Sequence, residues 1–228
     1  SHDFRSHRLV AAPRPPPPSA TRGAMPARPA ELEEEDAASV NTVSVADAIA
    51  IVQRMKSRDS SDNSVKIVDV RSHSEHAGGH IAGALHEPFA ELLAGEAAEA
   101  RAAELLENLR ASGVNEVLVH CMYSQARGPT VAQSLASLAK AKGMPLQVGL
   151  LEGGFHRFLN EVHGNAGGGD SDGGAPPLTD SGAELVAGYR RERWRWTQTD
   201  GLVETEAVEA AQALGLEPPA GGAAAAEA

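Results

Sequence analysis

Apolar positions along the middle of the chain follow two different spacings. Short runs of β-branched and other apolar residues are typical of strands buried on both faces. Three such runs occur, at residues 65–70 (VKIVDV), 116–120 (EVLVH) and 146–154 (LQVGLLEGG). Around them, apolar residues recur at helical spacing in four segments, residues 43–56, 90–113, 129–142 and 155–163. Strands that alternate with helices predict an α/β fold with a mainly parallel central sheet and helices on both faces.

The ends of these predicted helices carry ordinary boundary residues. Ser44 with Asp47 forms a plausible N-terminal capping pair, Gly113 suits a left-handed C-terminal cap, and Pro129 fits the first turn of a helix. In such a fold the functional residues are expected at the carboxyl ends of the parallel strands.

The segments outside this pattern have a different composition. Residues 1–40 are rich in Arg and Pro and then acidic, which predicts a disordered tail before a folded domain at residues 41–163. A Gly/Asp-rich linker is predicted at residues 164–180, and a partly helical extension at residues 181–228. In that extension we predict helices at 183–196 and 203–216, with Trp194 and Trp196 anchoring it to the core.

Charge and cysteine content narrow the classes of function. The formal net charge of −11 argues against general binding to nucleic acid or to anionic membranes, and no apolar run is long enough to cross a bilayer. The one cysteine cannot form an intramolecular disulfide or a cysteine-rich zinc site. We expect a monomer in a reducing compartment, with plastid targeting by the N-terminal segment left open.

Cys121 directly follows the apolar run 116–120 and precedes Arg127 by five residues, at the predicted start of a helix. A lone cysteine is commonly a buried core residue, but a strand end followed by Arg, Gly-Pro and a helix indicates a catalytic thiol. The amides of the following residues can form a nest that binds an oxyanion and lowers the thiol pKa below its free value of ~8.5. This predicted oxyanion loop consists of Met122, Tyr123, Ser124, Gln125, Ala126 and Arg127.

Three neighbouring side chains receive predicted roles. Arg127 would hold two oxygens of a tetrahedral oxyanion with its planar fork of donors. Ser124 would donate a hydrogen bond to the Cys121 sulfur. His120 would orient the loop through a hydrogen bond and would not act as the base.

Three ordered motifs resemble those of a known group of proteins. The segment HCMYSQARGPT (120–130) resembles the His-Cys-x5-Arg signature of cysteine-based phosphatases, in a context similar to their rhodanese-fold members. The segments VDVRSHSEHAGGHIAGALH (68–86) and LEGGFHRFLNEV (151–162) resemble two further rhodanese-family motifs. The likeness is greatest to the M-phase inducer phosphatases and the eukaryotic arsenate reductases, especially their short plant-type forms.

The resemblance implies a rhodanese-like domain whose Cys121 thiolate attacks a bound oxyanion. It also implies a location in the cytoplasm or the nucleus. Rhodanese sulfurtransferases typically have one residue fewer in the loop, so the longer loop favours phosphate or arsenate. M-phase inducers carry acidic residues in the loop and a second cysteine upstream, whereas this chain has Met122, Ala126 and Val70 there. The cysteine-rich metal site of the plant-type forms is also missing.

Without loop carboxylates, arsenate reduction is the leading hypothesis, with a possible protein-tyrosine-phosphatase activity beside it. Thiolate attack on arsenate expels water or hydroxide, and glutathione or glutaredoxin would supply the electrons from outside. No bound cofactor is expected. The first alternative is a dual-specificity phosphatase of the M-phase inducer type acting on a phosphoprotein; a thiosulfate sulfurtransferase and a non-catalytic interaction module stay open.

Two other groups of residues could carry chemistry. Asp69 and Glu75 could supply a general acid, but carboxylates beside Arg71 are more typical of a structural ion-pair set that holds the loop. Four histidines share one short segment, but their spacing matches no familiar zinc pattern and we predict no metal site. They are His73, His76, His80 and His86.

Overall fold

A five-stranded parallel sheet lies at the centre of the fold, with its strands in the spatial order Val40–Val43, Gln147–Leu151, Glu116–His120, Val65–Asp69 and Leu85–His86. The computed structural model describes residues 38–57, 64–93, 97–164, 175–197 and 199–205. The strands of this sheet and the short β3 are β1 (Val40–Val43), β2 (Val65–Asp69), β3 (His80–Ile81), β4 (Leu85–His86), β5 (Glu116–His120) and β6 (Gln147–Leu151). The helices are α1 (Val45–Lys56), α2 (His73–Ala77), α3 (Phe89–Leu93), α4 (Ala98–Ala111), α5 (Arg127–Ala141), α6 (Gly154–His163) and α7 (Asp180–Leu185).

Alternate residues of the central strands enter two separate cores. On β2, Val65 and Ile67 pack with residues of α1 and α6, whereas Val68 packs with residues of α4 and α5 on the opposite face. On β5, Leu118 joins the first core and Val117 the second. The predicted parallel sheet with helices on both faces is therefore confirmed, and it explains why the strands read as continuous apolar runs.

Local signals located several helix ends correctly. The Ser44 side chain accepts from the amide of Asp47 at the start of α1, and Gly113 has a left-handed φ of 75° just after α4. The single helix predicted at residues 90–113 is instead described as α3 and α4, and residues 94–96 lie outside the described residues.

The helix predicted at residues 183–196 is wrong beyond Leu185. The chain continues as β7 (Val186–Ala187), a 3-10 turn (Arg191–Arg193) and a C-terminal hairpin formed by β8 (Trp194–Thr197) and β9 (Gly201–Glu204). Strand β7 pairs antiparallel with β3, and this tertiary pairing outweighs the modest helical propensity of the segment. The helix predicted to begin at residue 203 is also strand up to Glu204, and residues 206–228 lie outside the described residues.

The remaining predictions concern the outer segments. The tail predicted as disordered falls almost wholly on residues 1–37, which lie outside the described residues. Within the predicted linker, residues 165–174 also lie outside them, but Ala175 is fully buried and the Pro176 carbonyl accepts a hydrogen bond from His163. None of the helices that the structure describes is long and apolar enough to span a bilayer.

Candidate active site

The oxyanion loop curls around the sulfur of Cys121 at the carboxyl end of β5. Cys121 is 3% exposed, and the backbone N–H of Ser124 donates to its Sγ at 3.2 Å. Ser124 is the one non-glycine residue among those described with a positive φ, 52°, which turns its amide toward the sulfur. Within the described part of the chain, no backbone carbonyl accepts from the loop amides of Met122, Tyr123, Gln125 and Ala126. The loop therefore has donors available for a tetrahedral oxyanion.

Helix α5 begins directly behind the sulfur. A Cβ atom added at Gly128 would lie 3.3 Å from the Cys121 amide nitrogen, which is closer than an ordinary contact, and 3.5 Å from Sγ, which is an ordinary contact distance. Glycine thus lets the N-terminal end of this helix approach the cysteine closely. The helix dipole adds positive potential at the same place and favours an anion there.

Helix α6 fixes the start of the loop from the other side. The backbone N–H of Phe155 donates to the Cys121 carbonyl at 2.9 Å, and that of His156 to the Met122 carbonyl at 2.9 Å. Gly154 makes this approach possible with a φ of 62°, because a Cβ atom there would lie 2.5 Å from both carbonyl oxygens. The segment Gly153-Gly154-Phe155 therefore helps to hold the first residues of the oxyanion loop in place.

Gly154→Ala is expected to lower kcat/KM for the predicted oxyanion substrate by at least about 10²-fold. The added Cβ would overlap the carbonyl oxygens of Cys121 and Met122, so the oxyanion loop would have to move. Gly143→Ala is the matched control, since Gly143 has a similar φ of 64° and nothing within 4 Å of its added Cβ. Both variants should lose roughly 1–3 kcal/mol of unfolding free energy from backbone strain, but only Gly154→Ala should lose activity. Equal activities of the two variants would contradict the positioning role of Gly154.

Arg127 is bound to Glu75 by two parallel hydrogen bonds. Nη1 donates to Oε2 at 2.6 Å and Nη2 to Oε1 at 2.7 Å, and the Glu75 side chain is 17% exposed. Glu75 also closes a capping box with Ser72 at the start of α2. Burial favours a higher pKa for Glu75, but the hydrogen bonds from Arg127 and Ser72 and the charge of Arg127 lower it overall. Glu75 is therefore an anion at neutral pH.

This pairing corrects one part of the sequence prediction. We expected Asp69 and Glu75 to form one ion-pair set with Arg71, but only Asp69 pairs with the Arg71 guanidinium. Glu75 offers Arg71 only its backbone carbonyl, at 3.3 Å, and gives its carboxylate to Arg127. Arg127 has five N–H donors, so three of them stay available to an oxyanion beside the Glu75 pair.

The Asp69–Arg71 pair is fully buried under the site. Arg71 Nη2 donates to Asp69 Oδ2 at 2.6 Å and to the Gly79 carbonyl at 2.8 Å, and its guanidinium lies 3.9 Å from the centre of the Phe155 ring. Burial raises the pKa of Asp69, but His120 and the charge and hydrogen bonds of Arg71 hold it well below its usual range. The pair thus ties the end of β2 to the α2 segment that carries Glu75.

Asp69→Asn is expected to lower the free energy of unfolding by about 3 to 5 kcal/mol, because it leaves the Arg71 charge buried without its partner. Since the folded pKa of Asp69 is lowered, its contribution is present above the unfolded value of about 3.9 and is lost as the pH falls further. Denaturant unfolding as a function of pH measures both effects. A loss below 1 kcal/mol, or an unchanged acid limb, would contradict this account.

His120 and Ser124 differ in how well they match their predicted contacts. The His120 ring is fully buried and its Nδ1 lies 3.3 Å from the Cys121 carbonyl, which accepts, so the predicted loop contact is present. Burial lowers the pKa of His120, with Asp69 opposing the shift. The Ser124 hydroxyl, in contrast, is buried without a hydrogen-bond partner among the described residues, and its amide contacts the sulfur instead. Its role toward the sulfur stays a prediction.

Three of the four histidine rings stack on one another, and two of the four histidines belong to α2. His76 lies between His80 and His86, with ring centroids 3.9 and 4.0 Å apart, and His73 meets His86 edge-on. Burial, His80 and His86 lower the pKa of His76 to about 4. Among the described residues no group of three or more possible ligands could hold a metal ion.

Sequence reasoning missed the way the C-terminal hairpin borders this site. Trp194 is buried, donates its indole N–H to the Gly78 carbonyl at 2.9 Å and packs against Phe155. Arg193 bonds both the Ser74 carbonyl of α2 and the buried Glu204 of β9. The only local signal was the expected anchoring by the tryptophans, which Trp194 confirms; nothing in the sequence paired Glu204 with the site.

The family comparison agrees with this architecture. The sequence profile of the rhodanese-like domain family matches residues 52–161. A relative from Saccharomyces cerevisiae, the CDC25-like phosphatase YCH1, is 30% identical over 133 residues, which cover 57% of this chain and 78% of the relative. The chain therefore belongs to the rhodanese-like domain family, and within it to the group of cysteine-based oxyanion enzymes.

A solved structure of a yeast protein agrees with this assignment. The chain is similar to Saccharomyces cerevisiae Ygr203w, described as a homologue of single-domain rhodanese and of the Cdc25 phosphatase catalytic domain. The identity is 28%, the TM-score is 0.50, and the match covers 70% of this chain and 97% of that one. A second structure of Ygr203w, described as a yeast protein tyrosine phosphatase of the rhodanese family, matches at 25% identity with a TM-score of 0.47, covering 67% and 95% of the two chains.

Proposed function

We propose that this protein is a cysteine-dependent phosphatase that hydrolyses phosphate monoesters through a phosphocysteine intermediate. The observation that carries the proposal is the loop, in which the sulfur of Cys121 contacts the Ser124 amide and faces the N-terminal end of α5 beside Arg127. The likeness to a CDC25-like phosphatase over most of that relative's length supports this choice among the oxyanion reactions.

The reaction follows from the positions of these groups. The Cys121 thiolate attacks phosphorus, so that an S–P bond forms while the P–O bond to the leaving group breaks. The loop amides and the free donors of Arg127 stabilise the charge on the three remaining phosphate oxygens. Water then attacks phosphorus, the S–P bond breaks, and inorganic phosphate leaves. The thiolate is restored without any oxidant or reductant.

Arsenate reduction is the second candidate, and the sequence alone had ranked it first. One observation favours it: residues 122–126 carry no carboxylate that could protonate a phosphate ester's leaving oxygen. Arsenate would form a bond from Cys121 sulfur to arsenic with loss of hydroxide or water. Attack by glutathione would then release arsenite and leave a disulfide between glutathione and Cys121, which glutaredoxin would reduce. Hydrolysis of phosphate esters ranks ahead of arsenate reduction because the similar yeast protein is a CDC25-like phosphatase.

Side-by-side assays of the full chain separate the candidates. The substrates are phosphotyrosine and phosphothreonine peptides, arsenate with glutathione and glutaredoxin, and thiosulfate with cyanide, each repeated with Cys121→Ser. We expect the highest kcat/KM on a phosphopeptide, with acid-quenched protein carrying one phosphoryl group on Cys121. Turnover confined to arsenate would instead support the second candidate, and turnover of thiosulfate alone would support a sulfurtransferase. Failure to bind or convert any of these oxyanions would support a non-catalytic interaction module.

A further inference from the structure

The C-terminal hairpin lies outside the part of the chain that matches the family but contacts the segment that holds Arg127. The family match ends at residue 161, whereas the hairpin consists of β8 and β9. Arg127 is bound by the carboxylate of Glu75, and Glu75 belongs to the short helix α2. The position of α2 therefore determines where the Arg127 guanidinium is held.

Helix α2 has little apolar packing of its own. None of its five residues is buried. Its first turn is held by the capping box between Ser72 and Glu75, and the ring of His76 stacks on two other histidines. The helix ends at Gly78, whose backbone N–H donates to the Glu75 carbonyl at 3.3 Å. A segment with so few buried apolar side chains opens easily unless polar contacts hold it.

Trp194 supplies such a contact at the end of α2. Its side chain is buried, and its indole N–H donates to the Gly78 carbonyl at 2.9 Å. The same carbonyl accepts from the Arg190 amide at 3.1 Å, and Arg193 donates to the Ser74 carbonyl in the first turn of α2. Three donors of the C-terminal segment therefore hold the two ends of this helix.

Trp194 also contacts the other side of the site. Its ring packs against the ring of Phe155, with centroids 5.8 Å apart. The backbone N–H of Phe155 donates to the Cys121 carbonyl at 2.9 Å, and the Phe155 ring packs against the Arg71 guanidinium. One buried side chain thus connects the helix that carries Glu75 with the helix that holds the nucleophile loop.

We propose that Trp194 is a positioning residue of the active site, which holds Arg127 in place through α2 and Glu75. The role rests on the proposed function, because it requires Arg127 to bind the oxyanion of the substrate. While the indole N–H is bonded to Gly78, Glu75 is fixed and keeps the Arg127 fork in one orientation. When that bond opens, Glu75 moves with α2, and Arg127 loses the orientation that the oxyanion needs.

Hydrogen exchange of the wild-type chain tests this coupling without a substitution at the site. The chain has two tryptophans, so the two indole N–H signals can be assigned with Trp196→Phe. Saturating inorganic phosphate should slow exchange of the Trp194 indole proton by at least about 5-fold, because an oxyanion on Arg127 stabilises the closed arrangement of α2. The Trp196 ring lies near that of His163 at the far end of α6, and its indole proton should exchange at an unchanged rate.

Trp194→Phe tests the effect on the reaction. Phenylalanine keeps a ring against Phe155 but has no N–H for Gly78, whose carbonyl still accepts from the Arg190 amide. KM for p-nitrophenyl phosphate and the inhibition constant of inorganic phosphate should each rise by about 5- to 10-fold, while kcat changes by less than about 2-fold. Trp196→Phe is the matched control on the same strand and should change none of these constants.

A double-mutant cycle with Glu75→Gln separates this role from general destabilisation. Glutamine at position 75 cannot form the charged pair with Arg127. In that background Trp194→Phe should therefore raise the inhibition constant of inorganic phosphate by less than about 2-fold. A loss of folding stability alone would have the same effect in both backgrounds.

Three results would overturn the positioning role while leaving the phosphatase function intact. They are an exchange rate of the Trp194 indole proton that phosphate does not change, an unchanged phosphate inhibition constant in Trp194→Phe, and equal effects of that variant in the two backgrounds. If Trp194→Phe does not fold, the exchange rates of wild type decide. If wild type binds phosphate but hydrolyses no ester, the proposed function fails and the exchange rates still decide the role of Trp194. If it binds neither phosphate nor arsenate, both proposals fail.

Discussion

Cys121→Ser is expected to lower kcat/KM for phosphate monoesters by at least about 10⁴-fold, and to abolish arsenate turnover equally. The serine hydroxyl is nearly the size of the thiol, so the loop around Ser124 and the α6 contacts should keep their geometry. What is lost is the nucleophile, because a hydroxyl ionises far less readily than a thiol and, among the described residues, no side-chain base is hydrogen-bonded to the Cys121 sulfur. The burial of His120 and its contact with the Cys121 carbonyl leave it unsuited to that task.

The measurement combines steady-state kinetics with denaturant unfolding and alkylation. The unfolding free energy of Cys121→Ser should stay within about 1 kcal/mol of wild type. Iodoacetamide should modify wild type once, since the chain has one cysteine, and inorganic phosphate should slow that modification. A serine variant that keeps more than a tenth of the wild-type activity would disprove the catalytic thiol.

Arg127→Lys is expected to lower kcat/KM by about 10² to 10³-fold, equivalent to roughly 2.7–4 kcal/mol of transition-state stabilisation. Lysine keeps the positive charge but has no planar fork, so it cannot bond Glu75 with two parallel bonds and still present donors to the oxyanion. Most of the loss should lie in KM, and the inhibition constant of inorganic phosphate should rise in parallel, because oxyanion binding is what weakens.

Arg110→Lys is the matched control for this prediction. Arg110 also pairs with a glutamate, Glu107, but on the exposed face of α4, and its replacement should change neither kcat/KM nor phosphate inhibition. If Arg127→Lys changed kcat alone and left phosphate inhibition unaltered, Arg127 would act on the chemical step and not on oxyanion binding.

Sequence periodicity located the interior of this fold better than its edges. Strands β2 and β5 were predictable because burial on both faces requires continuous apolar runs. Strand β4 has only two residues and takes its conformation from pairing with Val68 and Asp69 of β2, so no local pattern marks it. The helix predicted in the C-terminal segment was wrong for a related reason. Its mixture of charged and aromatic residues is compatible with a helix, and only tertiary contacts select the strands: β7 pairs with β3, and Asn160 of α6 bonds Leu202 of β9.

The sequence by itself determined the nucleophile loop, because a strand, Cys121, five residues, Arg127 and a helix form one continuous segment whose geometry is local. Only the tertiary structure decided which carboxylate Arg127 binds, since Glu75 is 52 residues away and its distance from Arg127 depends on how β2, β5 and α2 pack. The position of Glu204 beside α2 depends on two further tertiary contacts, between Asn160 of α6 and Leu202 and between Arg193 and Ser74, which are 119 residues apart. Such pairings involve single polar side chains without any periodic spacing, and for that reason the sequence pattern contained the site's nucleophile but not its electrostatic surroundings.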